Sequence, residues 1–212
     1  MAAMAMQSAL TVGFDLDMTL IDSRPGIKAA FEALSAATGV YVDADLATTR
    51  LGPPLAEELA HWFPAEDIPA ISEVYRQEIY PVHAITGTFA LPGAREAVEV
   101  IHSVGGMAVV VTAKYQANAE RHLEHLGIAA DAVVGDLWAE GKGAALIEYG
   151  ATVYVGDHIG DVRGARTAGA LSVAVATGPV SAAELRAAGA DVVLADLTEF
   201  PEWFEGYLRE AA

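Results

Sequence analysis

The strongest constraint on this chain is a recurring unit: a short, unbroken apolar run stops at a polar residue, and a helical pattern follows. Thr11 to Phe14 runs into Asp15, Met107–Val111 into Thr112, and Thr152–Val155 into Gly156-Asp157. Successive side chains of a strand point to opposite sides, so runs that stay apolar at every position are buried on both faces. Ala132–Val134, Val173–Ala176 and Val192–Leu194 are further runs of this kind. Helical patterns lie between them. One follows Leu91-Pro92-Gly93 to about Ser103. Another carries Ala119, His122, Leu123 and Leu126 and stops at Gly127, as a left-handed cap would. A short helix is expected from Gly141 to Tyr149, a further one behind the Ser181–Glu184 capping box, and a last one from about Glu202. Strands alternating with helices predict an α/β fold, a parallel sheet with helices on both faces.

One segment breaks the alternation. After Ser23 and Pro25, apolar residues at Ile27, Ala30, Phe31 and Leu34 mark a helix that stops near Gly39. Pro53-Pro54 interrupts the chain, Leu55, Leu59, Trp62 and Phe63 mark a short helix, and a third is expected from about Ile68 to Ile79. No buried strand is legible before about Thr88. The segment leaves after the first strand and returns before the next, and ligand crevices of open α/β sheets lie at the carboxyl ends of the strands. Residues 23–88 are therefore expected to form an all-α cap inserted into a core made of residues 9–22 and 89–212.

Composition narrows the function. Lysine and arginine total 12 against 29 acidic residues, a formal net charge of −17. Such a surface repels nucleic acid and anionic membranes, which need clustered positive charge. The chain has no cysteine, so disulfides and thiolate metal sites are excluded. Met1 to Ala9 has no charged n-region and is too short for a signal segment, and no apolar run reaches membrane-spanning length. A cytoplasmic protein is expected.

The polar residues at the strand ends carry chemistry. Asp15 and Asp17 stand where a strand ends and the chain turns, so both can face one crevice in different roles. One carboxylate can attack phosphorus; the other can protonate a leaving oxygen and later activate water. Such a site suits magnesium, which takes oxygen ligands and neutralises phosphate charge. Two aspartates at a turn are also common for purely structural reasons. Asp157 and Asp161, one helical turn apart behind Gly156, fit a metal ligand and a supporting carboxylate, although helix starts favour aspartate anyway. Thr112 can donate its hydroxyl to a phosphate oxygen, with the backbone N–H of Ala113 beside it. Lys142 opens a helix, where a cation opposes the dipole; it is one of only three lysines.

Taken in order, these features resemble the haloacid dehalogenase superfamily along essentially the whole chain. Asp15-x-Asp17-x-Thr19, Thr112, Lys142 and Gly156-Asp157-x-x-x-Asp161 look like its four motifs, and the helical insertion looks like its phosphoglycolate phosphatase-like branch. The resemblance implies a Rossmann-like core and a helical cap. It implies Asp15 as nucleophile and Asp17 as general acid–base. Thr112, Ala113 and Lys142 would hold the phosphoryl group. Asp15, the Asp17 backbone carbonyl and Asp157 would hold magnesium, supported by Asp161. Members that cleave carbon–halogen bonds lack the second aspartate, so Asp17 points to phosphoryl transfer. The chain departs from the family at Met18, where glycine is usual, at His158, where Ser or Thr is usual, and at Gly143, where Pro is frequent.

The activity so implied is magnesium-dependent hydrolysis of a small phosphorylated metabolite, by a monomer or a homodimer. A phosphomutase of the same superfamily and a catalytically silent binding protein are the competing readings. Among the cap cations Arg24, Lys28, Arg50 and Arg76, Arg24 and Arg50 are the candidates for substrate contact, with Lys114 beside Thr112. Trp62, Phe63 and Tyr75 read as cap core. The Gly52 loop has no lysine for a Schiff base.

Overall fold

The computed structural model describes residues 10–211, so the reading of Met1 to Ala9 concerns residues outside the described range. Six strands make one parallel sheet: β1 (Thr11–Phe14), β4 (Met107–Val111), β5 (Ala132–Val134), β6 (Ala151–Gly156), β7 (Leu171–Val175) and β8 (Val192–Leu194), in the order β5-β4-β1-β6-β7-β8. A separate antiparallel pair, β2 (Ile21–Asp22) and β3 (Phe89–Ala90), flanks the helical insertion. Strand β1 lies between β4 and β6, with Phe14 paired to Val110 on one side and Val155 on the other. The chain order reverses across β1, so the crevice at its carboxyl end is the switch point where such sheets bind ligands.

Alternation along β1 explains both faces. Val12 and Phe14 pack with α6 (Ala94–Ser103), α7 (Gln116–Leu126) and α11 (Phe200–Ala211) through Ile101, Leu123 and Phe204. Gly13 faces the other way, where a Cβ would lie 2.6 Å from Leu146. That absence lets α8 (Lys142–Glu148) settle beside α9 (Ile159–Ala168) over Val109, Val111 and Tyr154. Helix α10 (Ala182–Ala187) closes the edge with Leu185 on Val162 and Ala174. No helix among the described residues is long and apolar enough to cross a membrane.

The insertion holds α1 (Arg24–Thr38), α2 (Ala44–Thr48), α3 (Leu55–Leu59), α4 (Ile68–Val74) and α5 (Tyr80–His83). It has its own core of Phe31, Leu34, Leu59, Phe63, Tyr75 and Tyr80. The helix expected from Ile68 to Ile79 is not uniform. A π-helical turn over Tyr75–Ile79 lets the Tyr80 N–H reach the Tyr75 carbonyl, and Pro81, which has no N–H, follows directly. Helix α2 and the β2–β3 pair carry no periodic signal at their length, although Asp43 caps α2 by accepting from the Leu46 N–H.

The outgoing and returning legs of the insertion meet at Gly26, where a Cβ would lie 2.1 Å from the Ala84 carbonyl oxygen. A backbone atom cannot turn aside as a side chain can. Gly26→Ala is expected to lower stability by about 1–3 kcal/mol, read as a lower denaturant midpoint at unchanged slope.

Candidate active site

The site is built on three strand ends. Asp15 still belongs to the ladder, its N–H donating to the Val155 carbonyl at 2.8 Å, while its side chain emerges beyond the sheet. Past it the chain doubles back: the Leu16 carbonyl accepts from the N–H groups of Leu20 and Ile21, at 2.9 and 3.1 Å. Met18 sits at the apex with φ 60°, the left-handed region in which glycine would be unstrained. Its side chain is buried at 2% exposure. Burial of a methionine is worth about 1.5–3 kcal/mol, against a strain of roughly 1–2, so packing carries the departure from glycine.

Lys142 gathers the carboxylates. Its Nζ, 1% exposed, donates to Asp15 Oδ1 at 2.8 Å, to Asp161 Oδ1 at 2.6 Å and to the Tyr154 hydroxyl at 2.9 Å. Tyr154 passes its own hydrogen to the Val111 carbonyl at 2.7 Å, which ties the lysine to β4 as well as β6. Asp161 Oδ2 accepts from the His158 N–H at 3.0 Å, and His158 Nδ1 accepts from the Gly160 N–H at 3.0 Å, so His158 caps α9. Its ring lies against Trp138, with centroids 5.1 Å apart. Asp157 Oδ1 accepts from Thr19 Oγ1 at 3.2 Å. Glycine is required beside it: a Cβ on Gly178 would fall 1.7 Å from Asp157 Oδ2. Gly143 is explained in the same way, because a Cβ there would meet Thr167 of α9 at 2.6 Å.

Asp15, Asp157 and Asp161 are all buried, and each offers an oxygen within 4.8 Å of the others. Burial, followed by Asp157's neighbours Asp161 and Asp15, raises the Asp157 carboxyl well above its ordinary range. Burial likewise lifts Asp15 to about 7, against the opposing pull of Lys142. Burial also works against the charge on Lys142, but Asp15 and Asp161 outweigh it and hold its pKa well above the usual lysine value. Three ionised carboxylates against one ammonium leave two negative charges in a buried space. One divalent cation matches that excess, and an all-oxygen donor set suits a hard metal.

Asp17 stands apart from this group. Its Oδ1 accepts from Ser23 Oγ at 2.5 Å and lies 3.1 Å from Lys114 Nζ. Asp15, Asp17, Thr112, Ala113 and Lys114 together line a cavity of about 110 Å³ roofed by the insertion. Lys142, Asp157 and Asp161 do not line it. Arg50 reaches the cavity, but Arg24 does not: it is exposed and forks onto its neighbour Asp22 at 2.9 and 2.6 Å. Of the residues read as insertion core, Phe63 is buried, whereas Tyr75 is buried and also lines the cavity. Tyr80, Glu58 and Tyr154 had no sequence signal. Tyr80 lies on the insertion, yet it accepts from Lys114 Nζ at 2.5 Å and contacts His122 Nε2 at 2.9 Å.

The chain matches the family described as haloacid dehalogenase-like hydrolase across residues 12–175, more than half its length. It belongs to that family. A phosphoglycolate phosphatase of Xylella fastidiosa is 32% identical over 178 residues, 75% of this chain and 76% of the relative. One from Chromobacterium violaceum is 28% identical over 217 residues, 92% and 96% of the two chains. Among solved structures, a haloacid dehalogenase-like family hydrolase from Streptococcus pneumoniae superposes with a TM-score of 0.79 at 25% identity, covering 94% of this chain and all of its own. The resemblance read from the four motifs is thereby established, and this chain is an enzyme of a hydrolase family.

Removing the central cation isolates its electrostatic share. The carboxylates that lose it are penalised only when ionised, and burial delays Asp15 ionisation to about pH 7. Below its unfolded pKa the protonated Asp15 needs no partner; stability is lost as pH rises through the folded value. Lys142→Met is therefore expected to lower Tm more at pH 8 than at pH 5, measured without added metal by differential scanning fluorimetry.

Proposed function

We propose that this hydrolase is a magnesium-dependent phosphatase that cleaves the phosphate monoester of a small metabolite through an aspartyl-phosphate intermediate. One observation carries the reading: Asp15 and Asp17 line the same cavity, yet only Asp15 is wired to Lys142 and the buried carboxylates. The two side chains thus have the separate environments that separate roles require.

In this scheme the Asp15 carboxylate attacks phosphorus as the ester P–O bond breaks, and Asp17 delivers a proton to the departing alkoxide. Asp17 then takes a proton from water, which attacks the same phosphorus and releases inorganic phosphate and free Asp15. Thr112 Oγ1 and the Ala113 N–H hold the phosphoryl oxygens, and Lys142, which does not reach the cavity, positions Asp15 through its 2.8 Å contact to Oδ1. Lys114 and Ser23 keep Asp17 turned toward the leaving group, consistent with their contacts to Oδ1. Asp15, Asp157 and the Asp17 backbone carbonyl would hold the magnesium ion, with Asp161 supporting. Bound there, the ion neutralises charge on the phosphoryl group. Phosphate monoesters resist hydrolysis so strongly that a site of this kind must lower the barrier by more than roughly 20 kcal/mol, most of it through preorganised charge.

Residues 23–88 act as the cap in this reading, closing the cavity over the substrate and excluding water. The names of the Xylella and Chromobacterium relatives favour phosphatase over dehalogenase chemistry. A silent binding protein is a poorer account, since carboxylates that repel one another in a buried site cost stability for no return. Phosphate release from a panel of monoesters tests the reading. Turnover is expected with magnesium, to vanish with chelator, and to fall at least about a thousandfold in Asp15→Asn.

A further inference from the structure

Beyond Asp15 and Asp17, the cavity runs into the insertion, where its walls are set by side chains that phosphoryl transfer does not use. Arg50 donates from Nε and Nη2 to the two carboxylate oxygens of Glu58, at 2.9 and 2.6 Å. Trp62 Nε1 donates to Glu58 as well, at 2.9 Å, and the Arg50 guanidinium lies over the Trp62 ring at 5.8 Å. Glu58 is thus held by three hydrogen bonds with its side chain 13% exposed. A fork-to-fork pair of this kind is among the stronger ion pairs, and breaking it strands a part-buried charge.

The other cations on the cavity wall are also paired. Arg76 lies 3.3 Å from Asp136 and over the Tyr115 ring, and Lys114 lies 3.1 Å from Asp17. Every cation among the described residues lining this cavity therefore already faces a carboxylate. What remains there is largely apolar and aromatic: Ile27, Phe31, Leu51, Leu55, Tyr75 and Tyr80. Acidic charge is felt on this wall. Burial and Tyr80 raise the Tyr75 hydroxyl well above its usual pKa, and Asp17 and Glu58 push it the same way.

We propose that Glu58, by occupying Arg50, makes this end of the cavity select phosphate esters of uncharged apolar or aromatic alcohols and reject esters whose alcohol carries a carboxylate or a second phosphate. The inference rests on the phosphatase reading and assigns its substrate class. An anionic alcohol would have to displace Glu58 from Arg50 or lie against Glu58 and Asp17 unpaired. Rejection through an occupied cation is as effective a source of specificity as a new attraction. It also sets this chain apart from the activity in the names of its phosphoglycolate-cleaving relatives.

The test compares kcat/KM for benzyl phosphate and for phosphoglycolate, with magnesium, in the full chain. Wild type is expected to prefer benzyl phosphate at least about tenfold. Glu58→Gln releases Arg50 and is expected to move the ratio at least about tenfold toward phosphoglycolate; adding Arg50→Met to that variant should cancel the move. Partial misfolding scales both rates and drops out of the ratio. A wild-type preference for phosphoglycolate, or turnover of both esters with a ratio that Glu58→Gln leaves in place, overturns the proposal alone. If neither ester is cleaved while another monoester of the panel is, this assignment falls and the phosphatase reading stands; if no monoester is cleaved, both fall.

Discussion

The interaction on which the rest of this site depends is the buried ammonium of Lys142. It sits on the α8 face of the sheet, where Gly13 allows α8 to approach, and bonds Asp15 just past β1, Asp161 of α9 and Tyr154 of β6. That cation favours the ionised forms of Asp15 and Asp157, yet burial still holds both carboxyls above their ordinary range. The lysine alone leaves an excess of negative charge. The fold thus concentrates negative charge at the sheet's switch point that a divalent cation can neutralise.

A second set of contacts joins the insertion to the core. Lys114 donates to the Tyr80 oxygen, which leaves the Tyr80 hydrogen to be shared with His122 Nε2. Burial, then Lys114, holds the His122 pKa down to about 3, so its imidazole is neutral and accepts. Its Nδ1 has no partner among the described residues, a cost the structure bears. Asn118 Nδ2 adds a bond to the Arg76 carbonyl at 2.9 Å. Because Lys114 also pairs with Asp17, the seating of the insertion and the orientation of that carboxylate are physically linked.

Much of this was legible in the sequence, and the reason is physical. Buried parallel strands leave continuous apolar runs, so β1, β4 and β6 and their terminal Asp15, Thr112 and Asp157 stood out without tertiary information. Gly127 marked the end of α7 because only a left-handed residue closes that turn, and its φ is 62°. Met18, Gly143 and His158 were visible as departures, but their causes were not: side-chain burial, the α8–α9 approach and capping of α9 are properties of packed neighbours. Glu58 and Tyr80 lay beyond reach for a related reason. Glu58 is eight residues from Arg50, across a proline-broken loop, and Tyr80 meets its partners only after the insertion folds back. Arg24 had the right charge and sequence position, and the nearby Asp22 captured it.

In the proposed reaction Asp15, and not Asp17, becomes phosphorylated. The most direct measurement is rapid acid quench of Asp17→Asn mixed with magnesium and p-nitrophenyl phosphate, whose leaving group needs no proton from Asp17, followed by peptide mass spectrometry. With Asp17 unable to activate water, the account predicts one phosphoryl group on the peptide containing Asp15, located at that side chain and absent when Asp15 is also changed to Asn. Free phosphate released at an undiminished rate with no covalent phosphoryl group on the protein, or a phosphoryl group on any other residue, would contradict it.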